Sequence, residues 1–143
     1  MRPEETVDYN IKKTWYNITK MYNRTASQYK SSMSLGMILL NINISEGTPS
    51  TKLGPNMGME ATSLSRSLKK LEEEKLIKRK NDVNDKRKSI IYLTNKGVKW
   101  RKIAKHKVLE FNQEINEKIN KKEMKTFFNV IEKINNIIAA NKK

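Results

Sequence analysis

Apolar residues recur at intervals of three and four along nearly the whole chain, and the recurrence breaks once, between residues 77 and 93. That interval repeats once per helical turn, whereas alternation at an interval of two marks a strand. The chain therefore reads as a series of amphipathic helices interrupted by one short hairpin. A single break leaves no room for a parallel sheet or a β-sandwich, both of which need many strands.

The first stripe, Val7, Ile11, Trp15, Ile18, Tyr22, Ala26 and Tyr29, predicts a long helix over 4–29 with Pro3 at its start. Ser34 is the expected N-cap of a second helix. Leu35, Ile38, Leu39 and Ile42 give it a broad buried face, and Gly47 is expected to end it. Thr48 and Pro49, as N-cap and first helical residue, open a short third helix containing Gly54 and Pro55 and closed near Gly58. Leu64, Leu68 and Leu71 then define a fourth helix over 59–76. A short helix, a glycine turn and a second amphipathic helix form a helix-turn-helix pattern.

Ile77–Lys80 and Ser89–Leu93 are the predicted strands, joined by Asn and Asp turn residues into a wing. Thr94 is the expected cap of a helix of about seven turns carrying Trp100, Ala104, Val108, Phe111, Ile115 and Ile119. Asn120 and Glu123 form a variant capping box for a last helix with Met124, Phe127, Phe128, Ile131, Ile134 and Ile138. The fold class is mainly α with a small β-hairpin wing. Residues 31–94 form the winged helix-turn-helix, and 1–30 with 95–143 form a helical dimerisation region, intertwined in one domain. The outer helices carry longer apolar stripes than 143 residues readily cover. Val7, Ile11, Phe127, Phe128, Ile131, Ile134 and Ile138 would be costly to leave exposed, so a homodimer is expected to bury them.

Thirty Lys and Arg against fifteen Asp and Glu give a net charge of +15. Only six of the thirty are Arg, so part of the Lys excess is background composition. The acidic residues are nevertheless half as many, and double-stranded DNA is the expected partner. A non-specific architectural or RNA-associated protein is the alternative with the same charge. With 0 Cys, thiol chemistry and Cys-ligated metal sites are excluded; with His106 as the one histidine a transition-metal sensor is not expected, nor is a cofactor. With 5 Gly and no glycine-rich phosphate loop, an enzyme is not expected. The polar start MRPEETVDYN is unlike a signal peptide, and Met37–Ile44 is too short and too Asn-rich to span a membrane. A cytoplasmic protein is expected.

The charge is also localised. Lys75–Ser89 holds seven bases and two acids, and Thr94–Val108 holds six bases and no acid. On the second helix of the helix-turn-helix, Thr62, Ser63, Ser65, Arg66, Lys69 and Lys70 lie off the leucine stripe and are candidates for the major groove. Arg66 suits a bidentate contact to guanine, and Lys69 and Lys70 suit phosphate. Glu72, Glu73 and Glu74 would be repelled by DNA, so the N-terminal end of this helix should face it, and the acids should face outward or pair with neighbouring Lys.

The order of elements, the segment TSLSRSLKKLEEEKLIKR and the segment DKRKSIIYLTNKG resemble MarR-type winged-helix transcription regulators over essentially the whole chain. Asp85, Arg87, Leu93, Thr94 and Gly97 carry the most specific part of the resemblance. It implies that Arg87 enters the minor groove, flanked by Lys86 and Lys88, while Asp85 braces the wing. A narrow A·T minor groove concentrates negative potential, which suits an Arg. The resemblance further implies a homodimer on a palindromic operator, a repressor, and release of DNA by a small anionic or aromatic effector. Trp15, Tyr22, Met33, Met37, Trp100 and His106 are the candidate effector residues.

Three positions depart from the family pattern. Pro55 removes a backbone donor inside a short helix. Lys75 replaces the usual Gly after the recognition helix, so the cap is strained or the helix runs on. Gly36 weakens the second helix or makes room for a ligand.

Overall fold

The computed structural model describes residues 1–85 and 88–142. They fall into two compact units, Met1–Lys105 and His106–Lys143. The first contains a 3-10 turn (Pro3–Glu5), α1 (Val7–Ser27), α2 (Met33–Leu40), β1 (Thr48–Pro49), α3 (Ser50–Met57), α4 (Ala61–Glu73), β2 (Ile77–Asn81), β3 (Ser89–Leu93) and the start of α5 (Asn95–Lys118). The second contains the rest of α5 and α6 (Lys121–Ala140). The expected class holds: the chain is mostly helical with one small antiparallel sheet.

The starts of α1, α2 and α6 follow side-chain capping, whereas α3 and α4 begin without it. Pro3 opens the 3-10 turn rather than the long helix, and α1 starts at Val7, capped by Thr6, whose hydroxyl accepts from the Tyr9 amide. Ser32, not Ser34, caps α2 and accepts from the Leu35 amide at 3.4 Å. An N-cap needs extended backbone, which Ser32 has at φ −136° and ψ 162°, whereas Ser34 is already inside the helix. Asn120 caps α6, accepting from the Glu123 amide at 2.8 Å.

The end of α2 also departs from expectation. The helix stops at Leu40, well before Gly47, because Asn41 folds its amide back onto the Met37 carbonyl. Arg101 donates from Nη2 to the Leu40 carbonyl at 3.3 Å. Gly47 serves the following loop, with φ 73° and Tyr92 so close that a Cβ would lie 2.7 Å from its ring. At Gly36 a Cβ would meet the Ala104 Cβ at an ordinary 3.5 Å, so the packing of α2 on α5 does not require glycine there.

Thr48 and Pro49 do not open a helix. They form a short edge strand in a sheet ordered β1-β3-β2, with Thr48 opposite Ile91 and Pro49 opposite Ile90. Proline is tolerated at such an edge. The Thr48 hydroxyl accepts from the Asn43 amide at 2.9 Å. Pro55 lies within α3 without ending it, and Gly58, at φ 61°, closes the helix.

The fourth helix ends at Glu73, short of the expected Leu76. Lys75 adopts the left-handed conformation at φ 61°. Its amide bonds the Glu72 carbonyl, and the Leu76 amide reaches back to the Leu71 carbonyl at 2.9 Å. That bonding pair is the glycine-type helix stop, with buried Leu71 and Leu76 as its hydrophobic contact. The strained cap is therefore what forms, built on a lysine.

The start of α5 grips this stop. The Thr94 amide donates to the Leu76 carbonyl at 3.1 Å, and the Thr94 hydroxyl donates to the Lys75 carbonyl at 2.6 Å. The same hydroxyl accepts from the Gly97 amide at 3.0 Å, so Thr94 caps α5 as expected. Lys96 Nζ donates to the Glu74 carbonyl at 3.1 Å. Three successive carbonyls at the end of α4 thus find their donors in Thr94 and Lys96.

The buried core is Leu35, Ile38, Leu39, Ile42, Leu53, Leu64, Leu68, Leu71, Leu76, Ile77 and Ile91. It lies among α2, α3, α4 and the hairpin, and neither α1 nor α6 contributes a fully buried residue. Among the described residues, no helix is long and apolar enough to cross a membrane.

Candidate nucleic-acid interface

The fourth helix buries Leu64, Leu68 and Leu71 and turns Thr62, Ser63, Ser65, Arg66, Lys69 and Lys70 to solvent. All six predicted major-groove residues are therefore accessible on one element. Arg66, Lys69 and Lys70 line an open surface hollow that continues to Glu73 and Glu74. Lys69 with Glu73, and Lys70 with Glu74, stand four apart with the base first, which is the poorer order for pairing on a helix. Among the described residues neither pair closes, whereas Glu114 and Lys118, acid first, meet at 3.3 Å. Among the described residues, Arg66, Lys69 and Lys70 thus form no ion pair, although Glu73 and Glu74 border the same hollow.

The acidic block faces outward as expected at Glu73 and Glu74 and departs from expectation at Glu72. Glu72 pairs with an arginine, not a lysine: its Oε1 lies 3.7 Å from Arg79 Nε. Glu73 and Glu74 are exposed, and among the described residues their carboxylates form no ion pair.

A groove runs between the start of α3 and the start of α4. Ser50, Thr51, Ala61, Ser65 and Arg79 are among the residues that line it. The Ser50 and Ser89 hydroxyls lie 3.2 Å apart, tying α3 to β3. Ser50, Thr51 and Arg79 were not singled out by the sequence reading. Arg79 had a signal: it stands two residues after buried Ile77 on a predicted strand, so it shares that inward face.

The wing is the β2–β3 hairpin, in register from Ile77 opposite Leu93 to Asn81 opposite Ser89. Its turn is closed by the Asp82 amide on the Lys88 carbonyl at 2.8 Å and the Lys88 amide on the Asp85 carbonyl at 3.0 Å. The Asp82 carboxylate accepts from the Asn84 amide at 2.9 Å. Lys88 is exposed, and Lys80 Nζ sits 5.5 Å above the Tyr92 ring. Lys86 and Arg87, expected at the minor groove, lie outside the described residues.

Of the candidate effector residues, Trp15 is half exposed on α1 and Tyr22, Met33 and Met37 are partly buried. The Met33 amide donates to Asn23 Oδ1 at 2.8 Å, which joins α1 to the start of α2 beside Tyr22. Burial pushes the Tyr22 phenol above its ordinary pKa. Trp100 is occupied by packing: Tyr29 meets it edge-on at 6.2 Å, and Lys96 lies 5.8 Å over its ring. His106 opens the second unit and is exposed. Among the described residues, no three His, Cys, Asp or Glu cluster as a metal site would require.

Two helices joined by a glycine turn, the second outward and basic, followed by an antiparallel wing, define a winged helix-turn-helix. Residues 32–89 match the family model described as MarR family. The match agrees with the resemblance read from the sequence, and MarR-family members are transcription regulators, not enzymes. The chain is 29% identical to the HTH-type transcriptional regulator SarZ of Staphylococcus saprophyticus over 110 residues, 74% of this chain and 75% of that protein. Its fold matches a MarR/EmrR family transcriptional regulator from Acinetobacter sp. ADP1 with TM-score 0.87 at 20% identity, covering 98% of this chain and 99% of that one. It also matches the protein in the S. aureus MepR–DNA complex, with TM-score 0.83 at 20% identity over 90% and 96% of the two chains.

Proposed function

We propose that this chain is a homodimeric, sequence-specific DNA-binding transcription regulator acting in the cytoplasm as an effector-released repressor. The observation that carries the reading is the exposed row Arg66, Lys69 and Lys70 on the outward face of α4, free of ion pairs among the described residues, on a fold shared with the protein of a DNA complex. Arg66 with Thr62, Ser63 and Ser65 reads base edges in the major groove, and Lys69 and Lys70 hold phosphates. The wing residues Asp85, Lys86, Arg87 and Lys88 serve the minor groove, Arg87 as the reader and Asp85 as the brace.

Residues 31–94 form the reading head, and 1–30 with 95–143 the dimerisation region. In support, Val7, Ile11, Phe127, Phe128 and Ile138 are each about half exposed, which a second copy would cover. A two-fold dimer spaces its recognition helices about 34 Å apart, one turn of a palindromic operator. Trp15, Tyr22, Met33, Met37, Trp100 and His106 mark the region for a small anionic or aromatic effector.

Competition tests the reading. Duplexes selected by the protein from a random pool should outcompete unselected duplex by about 10³-fold or more. Equal affinity for all duplexes, or preference for RNA, would replace it with the non-specific nucleic-acid reading.

A further inference from the structure

We propose that Arg79 is an additional phosphate-binding residue of the DNA interface, held in reserve by Glu72 acting as an internal stand-in for phosphate. The inference rests on the DNA-binding reading above and adds to it a residue and a mechanism of release.

Register places Arg79. It pairs with Ile91, and residues directly opposite in an antiparallel ladder project to the same face. Ile91 is fully buried, as is Ile77 two residues before Arg79, so Arg79 belongs to the inward face of the hairpin, the face turned to the core. An apolar side chain would be the ordinary occupant of such a position. An arginine can stand there only by laying its aliphatic stem along apolar neighbours and bringing its charged head out at the rim. The lining of the adjacent groove agrees: Arg79 shares it with Leu68 and Ser65 of α4, and its side chain is 33% exposed.

The head emerges where anions are expected. Ser65 and Glu72 are seven residues apart on α4, two turns along one face, and Arg79 meets both the groove at Ser65 and the carboxylate of Glu72. The same groove is lined by Ser50, Thr51 and Ala61 from the first turns of α3 and α4, with Glu60 as its one acidic residue against Arg79. Helix N-termini present free amides and attract anions, and here they share the groove with a guanidinium.

The ion pair is built to be given up. At 3.7 Å, Nε and Oε1 are beyond hydrogen-bond distance, and both partners are partly solvated. Such pairs contribute little to stability. A phosphate offers the guanidinium a bidentate, charge-assisted contact in place of this loose one. Glu72 therefore holds the arginine loosely beside α4 and gives it up readily when a duplex phosphate arrives.

Salt titration of binding to a labelled mixed-sequence duplex, using the full chain, tests this. Arg79→Met keeps the stem packing and removes the charge. It should flatten the slope of log affinity against log salt by about 1. Glu72→Gln should raise affinity about two- to five-fold, as expected for release of one exposed pair. The decisive arm is the double variant. In the Arg79→Met background, Glu72→Gln should give no gain, because its effect passes through Arg79. An unchanged slope in Arg79→Met, or a Glu72→Gln gain that persists in the double variant, overturns the proposal and leaves the DNA-binding reading standing. Failure of the wild-type chain to bind any duplex overturns both. If Arg79→Met does not fold, Arg79→Gln replaces it and is read the same way: a flattened slope and loss of the Glu72→Gln gain support the proposal, and an unchanged slope or an undiminished gain overturns it.

Discussion

A β-carbon at position 97 would sit 2.0 Å from the Leu76 carbonyl oxygen, so the closeness of α5 to the end of α4 depends on the absence of one atom. Gly97→Ala should cost about 3 kcal/mol or more, since backbone rather than a flexible side chain must move. Urea denaturation checks this, and a loss below 1 kcal/mol would mean the helices separate easily. Lys75 presents the opposite case. A left-handed lysine carries a steric penalty that glycine avoids. Lys75→Gly should raise stability by roughly 0.5–1 kcal/mol, the gain being reduced by the extra freedom of glycine in the unfolded chain. A melting temperature equal to or below that of the wild type would contradict the strained cap. Lys75 was visible in the sequence as a departure, but whether the helix would stop or continue was not. The Leu71–Leu76 contact and the bonds from Thr94 decided it, and the latter arrive from nineteen residues away.

Elements were legible in proportion to their length. The long helices and the hairpin follow from apolar spacing alone, and the HTH leucines Leu64, Leu68 and Leu71 are buried as that spacing requires. The first strand escaped because two residues carry no period, and Thr-Pro is also a standard helix opening. Only the exposed edge of β3, at Ile90 and Ile91, recruits it. The choice of Ser32 over Ser34 as cap is similarly local, made by backbone angles that three nearby serines do not reveal. The site was legible as a set of residues on α4, while Arg79 needed the strand register to separate it from a run of bases. On α4, Arg66→Ala should weaken operator binding by about 1–3 kcal/mol and relax preference at one position per half-site. Base-by-base competition reads this out, and an unchanged preference assigns Arg66 to phosphate. On the wing, Arg87→Ala should lose most affinity on operators with A·T-rich flanks, as shown by comparing A·T-rich with G·C-rich flanking duplexes.

At the scale of the whole molecule, the +15 charge and the exposed apolar faces call for different partners. The charge favours a polyanion, and Phe127 at 53% and Phe128 at 61% exposure favour another apolar surface. Phe128→Glu should lower the mass measured by light scattering to that of one chain and weaken operator binding by far more than its own charge explains, because two half-sites would no longer be engaged together. A dimeric mass in this variant would move the interface away from α6. The grip of Thr94 and Lys96 on the end of α4 has a kinetic consequence as well. The amides of Leu76 and Thr94 are bonded across buried backbone, so their hydrogens should be among the last to exchange with deuterated solvent. Those of the exposed wing turn at Asn84 and Lys88 should exchange first. The winged helix should therefore open from its tip inward, with the end of α4 released only on global unfolding.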